Sequence, residues 1–102
     1  MSARKVVCVV GSTKFRDEIK EWALERTLDQ HELILFAPFA KEEIPNLEHF
    51  RRELEIQHCQ KIRMSDCVFV FNKDKYIGDS TKLEIQYAKS INKSIEYLES
   101  EE

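Results

Sequence analysis

At 102 residues, 42% hydrophobic and 34% charged, the chain has the size and composition of one soluble globular domain with a single core. A net charge of −3 supplies no basic stripe to match a phosphate backbone, which argues against general nucleic-acid binding. No apolar run approaches the roughly 20 residues of a membrane span, and residues 1–5 are too short for a signal peptide. The chain therefore reads as cytoplasmic, with no membrane partner.

Residues 5–10 are a β-branched apolar run, the pattern of a central parallel strand buried on both faces. Gly11-Ser12-Thr13 turns the chain into a helix expected over about 14–30, with Ile19, Trp22, Ala23 and Arg26 as its inward stripe and Leu24 and Leu28 close by. Residues 32–36 form a second strand that Pro38 stops, and 37–45 a loop with Phe39 near its middle. A second helix is expected over 46–64, with Phe50, Leu54 and Ile62 on one face and His58 between the last two. Ser65-Asp66 leads into a third strand, Cys67–Phe71. A third helix over 81–92 places Leu83, Tyr87 and Ile91 along one line. A short strand follows at 94–98, and 99–102 is an acidic tail expected to fray.

Strand–helix alternation with short links implies parallel strands joined by right-handed crossovers. The expected fold is a three-layer α/β sandwich, Rossmann/flavodoxin-like, with a parallel sheet of four to five strands and helices on both faces. Residues 1–98 make one domain. With the first strand central, 11–14 and 76–84 should face each other across a crevice at the carboxyl ends of the strands, where ligands bind in such sheets.

Cys8, Cys59 and Cys67 have no C-x-x-C spacing and sit in or beside apolar segments, as reduced, small buried hydrophobes do. His31, His49 and His58 form no ligand pair, so no metal is expected. Neither glycine loop matches a named nucleotide motif. Gly11 serves either a close backbone–ligand approach or a turn that needs positive φ.

The most informative stretch is D-K-Y-I-G-D-S-T-K-L-E, residues 74–84. Gly78 breaks the chain, and Asp79, Ser80 and Thr81 bring oxygens that suit a helix start. Thr81-x-x-Glu84 has capping-box spacing, so Glu84 serves either as a cap or as a functional carboxylate. Hydroxyls and free N–H groups beside one carboxylate suit a sugar or sugar phosphate.

V-V-G-S-T-K after the first strand, S-D-C-V-F-V-F at the third, and E-I-Q-Y-A from Glu84 give the chain a resemblance along nearly its whole length. It resembles the nucleoside 2-deoxyribosyltransferase-like proteins, which include deoxynucleoside 5′-monophosphate N-glycosidases, and most of all a small bacterial or phage subgroup. The resemblance implies attack by Glu84 on C1′ of a nucleoside, departure of the base, and resolution of the ester by water or a second base. Gly11, Ser12, Thr13, Gly78, Ser80 and Thr81 would cradle sugar or phosphate. Asp66 and Tyr76 would border the substrate, although Asp66 also suits a strand anchor and Tyr76 a cover for the core edge.

His58 stands where the family usually has an aspartate; it is either the acid or sugar contact, or a helix-seam histidine. Gln86 replaces a glycine, and Cys8, Val9 and Val10 stand where a tyrosine is usual. The expected partner is a nucleoside or nucleotide, with no cofactor and with a homodimer as the assembly. The rival readings are a non-catalytic nucleotide- or nucleotide-sugar-binding module, and an interaction domain using Phe15, Trp22 or Tyr97.

Overall fold

The computed structural model describes residues 3–36 and 47–100. The expected loop with Pro38 and Phe39 lies outside the described residues. Strand β1 (Val6–Gly11) leads through a 3₁₀ turn (Thr13–Phe15) into helix α1 (Arg16–Asp29), followed by strand β2 (Leu33–Leu35). Helix α2 (Leu47–Met64), strand β3 (Cys67–Phe71), helix α3 (Asp79–Ser90) and strand β4 (Ser94–Tyr97) complete the order. The described strands form one sheet in the order β2-β1-β3-β4, every pairing parallel. This matches the first four positions of the flavodoxin-like order and puts the switch point between β1 and β3.

The period of two along the central strands sorts the core into two faces. Cys8, Val10, Val68 and Val70 pack against Ile62 of α2 and Ile85 and Ala88 of α3. Val7, Val9, Phe69 and Phe71 pack on the other side against Phe15 and Ile19, with Trp22 at its margin. Helix α1 therefore covers one face and α2 with α3 the other, which makes three layers. Trp22 stacks on Phe69 with ring centroids 4.4 Å apart, and Arg26 lies over both rings. Arg26 also holds the buried Glu32 through Nε at 2.6 Å, so the end of α1 is tied to the entry of β2.

Several expected faces are rotated. In α1 Ile19 and Ala23 are buried, but Leu24 and Leu28 are exposed. In α2 Phe50 is exposed, whereas His58 and Ile62 are buried. In α3 the expected line fails at Leu83, which is 66% exposed; Thr81, Ile85 and Ala88 face inward instead. The small side chains of Thr81 and Ala88 let α3 sit close to the sheet, and that contact fixes the helix phase. Phe15 is buried, Trp22 is stacked on Phe69 and the half-buried Tyr97 packs against the α2–α3 core.

Glu96 lies on β4, paired with Lys5 at 3.2 Å and within 3.6 Å of Arg26, and Lys93 Nζ donates to the Ser65 carbonyl. Glu99 is fixed rather than frayed, through bonds to Asn72 and to the amide of Asp74.

Gly11 is required for space. Neither glycine has positive φ, but a Cβ at Gly11 would lie 3.1 Å from Phe71 Cβ and 3.2 Å from both Ile19 Cδ1 and Phe71 O. Gly11→Ala is therefore expected to destabilise the fold by about 1–3 kcal/mol through overpacking at the β1–β3 pair. The check is urea unfolding: a lowered midpoint at unchanged slope supports this, and an unshifted midpoint contradicts it.

Candidate functional site

The C-terminal ends of β1 and β3 open onto a pocket of about 260 Å³. Gly11, Ser12 and Thr13 line it from β1, while Gly78, Ser80, Thr81 and Glu84 line it from the start of α3. His58 enters from α2, and Phe36 stands just after β2. Residues dozens of positions apart in sequence thus meet at the switch point, because β1 and β3 are hydrogen-bonded neighbours. On the β1 side, Ser12 caps the 3₁₀ turn by accepting from the Lys14 amide at 3.3 Å.

Helix α3 begins two residues earlier than the sequence suggests. Gly78 is its N-cap, with no side-chain capping bond, and the first intrahelical bond runs from the Lys82 amide to the Gly78 carbonyl at 3.0 Å. Thr81 is therefore inside the first turn and 3% exposed, and Thr81-x-x-Glu84 is not a capping box. The amides of Asp79, Ser80 and Thr81 precede the helix's own ladder and form the positive end of its dipole. A Cβ on Gly78 would meet only Tyr76, at 3.7 Å or more, so neither conformation nor packing demands glycine there.

Freed from the cap, the Glu84 carboxylate reaches His58. Oε2 of Glu84 and Nε2 of His58 are in direct contact, an ion pair whenever the imidazole carries its second proton, with the imidazole almost wholly buried and the carboxylate 22% exposed. The contact lacks hydrogen-bond angles, and Nδ1 of His58 is also buried without a hydrogen-bond partner among the described residues. A buried imidazole with an unpartnered nitrogen calls for a hydrogen-bonding group that the described protein atoms do not supply. Unlike the exposed Asp79–Lys82 pair at the rim, the Glu84–His58 contact lies within the pocket wall and joins a carboxylate, able to act as a nucleophile, to an imidazole able to carry a proton.

Cys8 lies beneath this pair, fully buried. Burial pushes its thiol up to about 12, the charge of Glu84 adds to the rise, and Lys61 opposes it. The field of the pocket carboxylate thus reaches into the core, and Cys8 stays a neutral thiol rather than a nucleophile. Lys61 is also the donor of a 3.0 Å bond to the Phe36 carbonyl, which ties α2 to the rim beyond β2.

Two sequence candidates lie outside the pocket. Asp66 starts β3, at the sheet end opposite the crevice, where Oδ2 accepts from the Val6 amide at 2.8 Å. It anchors the strand. Tyr76 stands beside the pocket: its ring lies 3.4 Å from Lys14 Nζ and edge-on to Phe15 at 6.0 Å, bridging the two loops. Gln86 is exposed and crowds no helix contact. Sequence reasoning missed Lys61, Asn72 and Glu99; Lys61 follows His58 by three residues on the same helix face, and that spacing was the available signal. Among the described residues no three His, Cys, Asp or Glu side chains gather as a metal site.

The raised Cys8 pKa has a testable sign. Between about 9 and 12 the unfolded chain loses a proton that the folded chain keeps, so this group's contribution to stability declines as pH rises through that window. Cys8→Ala should show a shallower alkaline decline than wild type in urea midpoints taken at several pH values above 8. Parallel declines would contradict the assignment. No protein-family model matches the chain, and a search of curated proteins finds no match.

Proposed function

We propose that the chain breaks the N-glycosidic bond of a nucleoside or nucleoside 5′-monophosphate, with Glu84 as nucleophile. The observation that supports this most directly is the Glu84–His58 pair on the wall of a pocket at the β1–β3 switch point. A carboxylate oxygen bonds to C1′ as the C1′–N bond breaks, and the electron pair leaves with the base. Protonated His58 supplies the base with a proton; neutral His58 then takes one from the water that releases Glu84 from C1′. A second base in place of water would make the reaction a transfer. Ser12 and Thr13, with Ser80, Thr81 and the amides opening α3, hold the sugar hydroxyls or a 5′-phosphate.

Charge favours the neutral guest. Glu84 and Asp79 line the pocket and no described lysine or arginine does, so a nucleoside enters more easily than a dianionic monophosphate. The close hold of His58 on Glu84 favours a second reading, a nucleotide-binding module without turnover, because it occupies the carboxylate that would attack. The assembly proposed for either reading is a homodimer, checked by light scattering; the place proposed is the cytoplasm.

Base release from the eight common nucleosides and their 5′-monophosphates, followed by chromatography, separates these readings. Release by wild type and its abolition in Glu84→Ala and Glu84→Gln is the expected result, with a loss of about 10²–10⁴-fold in His58→Ala. Wild-type turnover in either Glu84 variant overturns the mechanism. No release, with a ligand-dependent rise in melting temperature, establishes the binding module.

Gly78→Ala tests the crevice independently of chemistry. Its folding stability should stay equal or rise by about 0.4–1 kcal/mol, since the site accepts a Cβ and the unfolded chain loses freedom. A ligand seated against the Gly78 backbone should bind at least tenfold more weakly to the variant by calorimetry. Equal affinity would place the ligand elsewhere.

A further inference from the structure

The β3–α3 connection holds backbone strain that the pocket does not explain. Asp74 and Lys75 both have left-handed φ, 56° and 62°, although neither is glycine. Such pairs persist only where the surroundings hold them. The hold comes from the other end of the chain. Leu98 extends the β3–β4 ladder by donating to the Val70 carbonyl at 2.9 Å. Asn72, 2% exposed, then takes the place of the next strand residue: its Oδ1 accepts from the Glu99 amide at 2.8 Å and its Nδ2 donates to the Glu99 carbonyl at 2.9 Å. The Glu99 side chain turns back and accepts the Asp74 amide at 2.5 Å. Inside this frame the turn closes on itself, Lys75 donating to the Asn72 carbonyl at 2.8 Å and Tyr76 to the Lys73 carbonyl at 3.0 Å.

The turn runs directly into the pocket wall. Tyr76 carries the Lys14 contact to the β1 loop, and two residues later Gly78 opens α3, whose first turn and Glu84 line the pocket. We propose that Asn72 and Glu99 form a clasp through which the C-terminal segment after β4 sets the position of the β3–α3 turn and of the pocket wall at the start of α3. Asn72 and Glu99 are positioning residues: they touch the turn and lie outside the pocket lining. The clasp rests on the proposed function only in treating this pocket as the ligand site. Its structural claim, that loss of the half-buried Glu99 carboxylate loosens the turn and the α3 start together, stands without any ligand.

Glu99→Ala and Glu99→Gln, the latter keeping an acceptor for the Asp74 amide, test it by amide hydrogen exchange on the full chain. In Glu99→Ala the Tyr76 and Lys82 amides should exchange at least tenfold faster, while those of Cys8 and Val9 in β1 keep their wild-type rates. Glu99→Gln should restore most of the protection. Unchanged exchange at Tyr76 and Lys82 in Glu99→Ala overturns the proposal, and so does a uniform rise across the molecule, which would mean only lower global stability. In the nucleoside assay the clasp predicts a several-fold rise in KM for Glu99→Ala at similar kcat, reversed in Glu99→Gln. Loosened turn amides with no base release by wild type would refute the glycosidic reading and leave the clasp standing; base release with rigid turn amides would do the reverse.

Discussion

The close parallel pairing of β1 with β3 is the contact on which the rest depends. It aligns Gly11 with Phe71, leaves no space there for a side chain, and so brings the ends of both strands side by side. Because the helices that follow the two strands leave toward opposite faces, the space between the two strand ends stays open. The pocket is the consequence of that divergence. Every residue that lines it is carried there by the central pair, by the helices packed on it, or by the loops between them.

The chemistry follows from how α3 is placed over this opening. Small Thr81 and Ala88 let the helix approach Cys8 and Val10, and that contact sets which side of the helix faces the crevice. Glu84 then meets His58 across the seam with α2 instead of turning back to the helix start. A carboxylate in a partly desolvated wall interacts strongly with its surroundings. Its influence on the buried Cys8 thiol is one sign of this, and the enclosed imidazole beside it is another.

Polar contacts from outside the pocket hold this geometry. Asp66 fixes the start of β3 against Val6, Lys61 fixes the chain just after β2, and Asn72 with Glu99 fixes the turn before α3. Each joins segments remote in sequence at the end of a strand. Such ties restrain a small sheet whose outer strands have three and four residues. They also explain how two left-handed residues stay in place beside the site.

Much of this is legible in the residues themselves. The strand Cys67–Phe71, the α/β alternation and the meeting of the two glycine loops follow from periodicity, because a strand buried on both faces must be continuously apolar and parallel strands need crossovers. Spacing leaves the roles of Gly11 and Glu84 open, because it cannot measure free volume or tell an N-cap from a third helical residue. Leu83 and Phe50 show the same limit: periodicity identifies a helix but not its phase against a twisted sheet. The partners of Asp66, Lys61, Asn72 and Glu99 are hidden for a related reason, since each lies dozens of residues away along the chain. Residue order alone thus specifies the elements and their alternation, which are short-range properties. Which helix face turns inward, that Glu84 pairs with His58, and that the C-terminal segment holds the pocket wall are set by the folded packing, because each depends on distances between segments that no local pattern encodes.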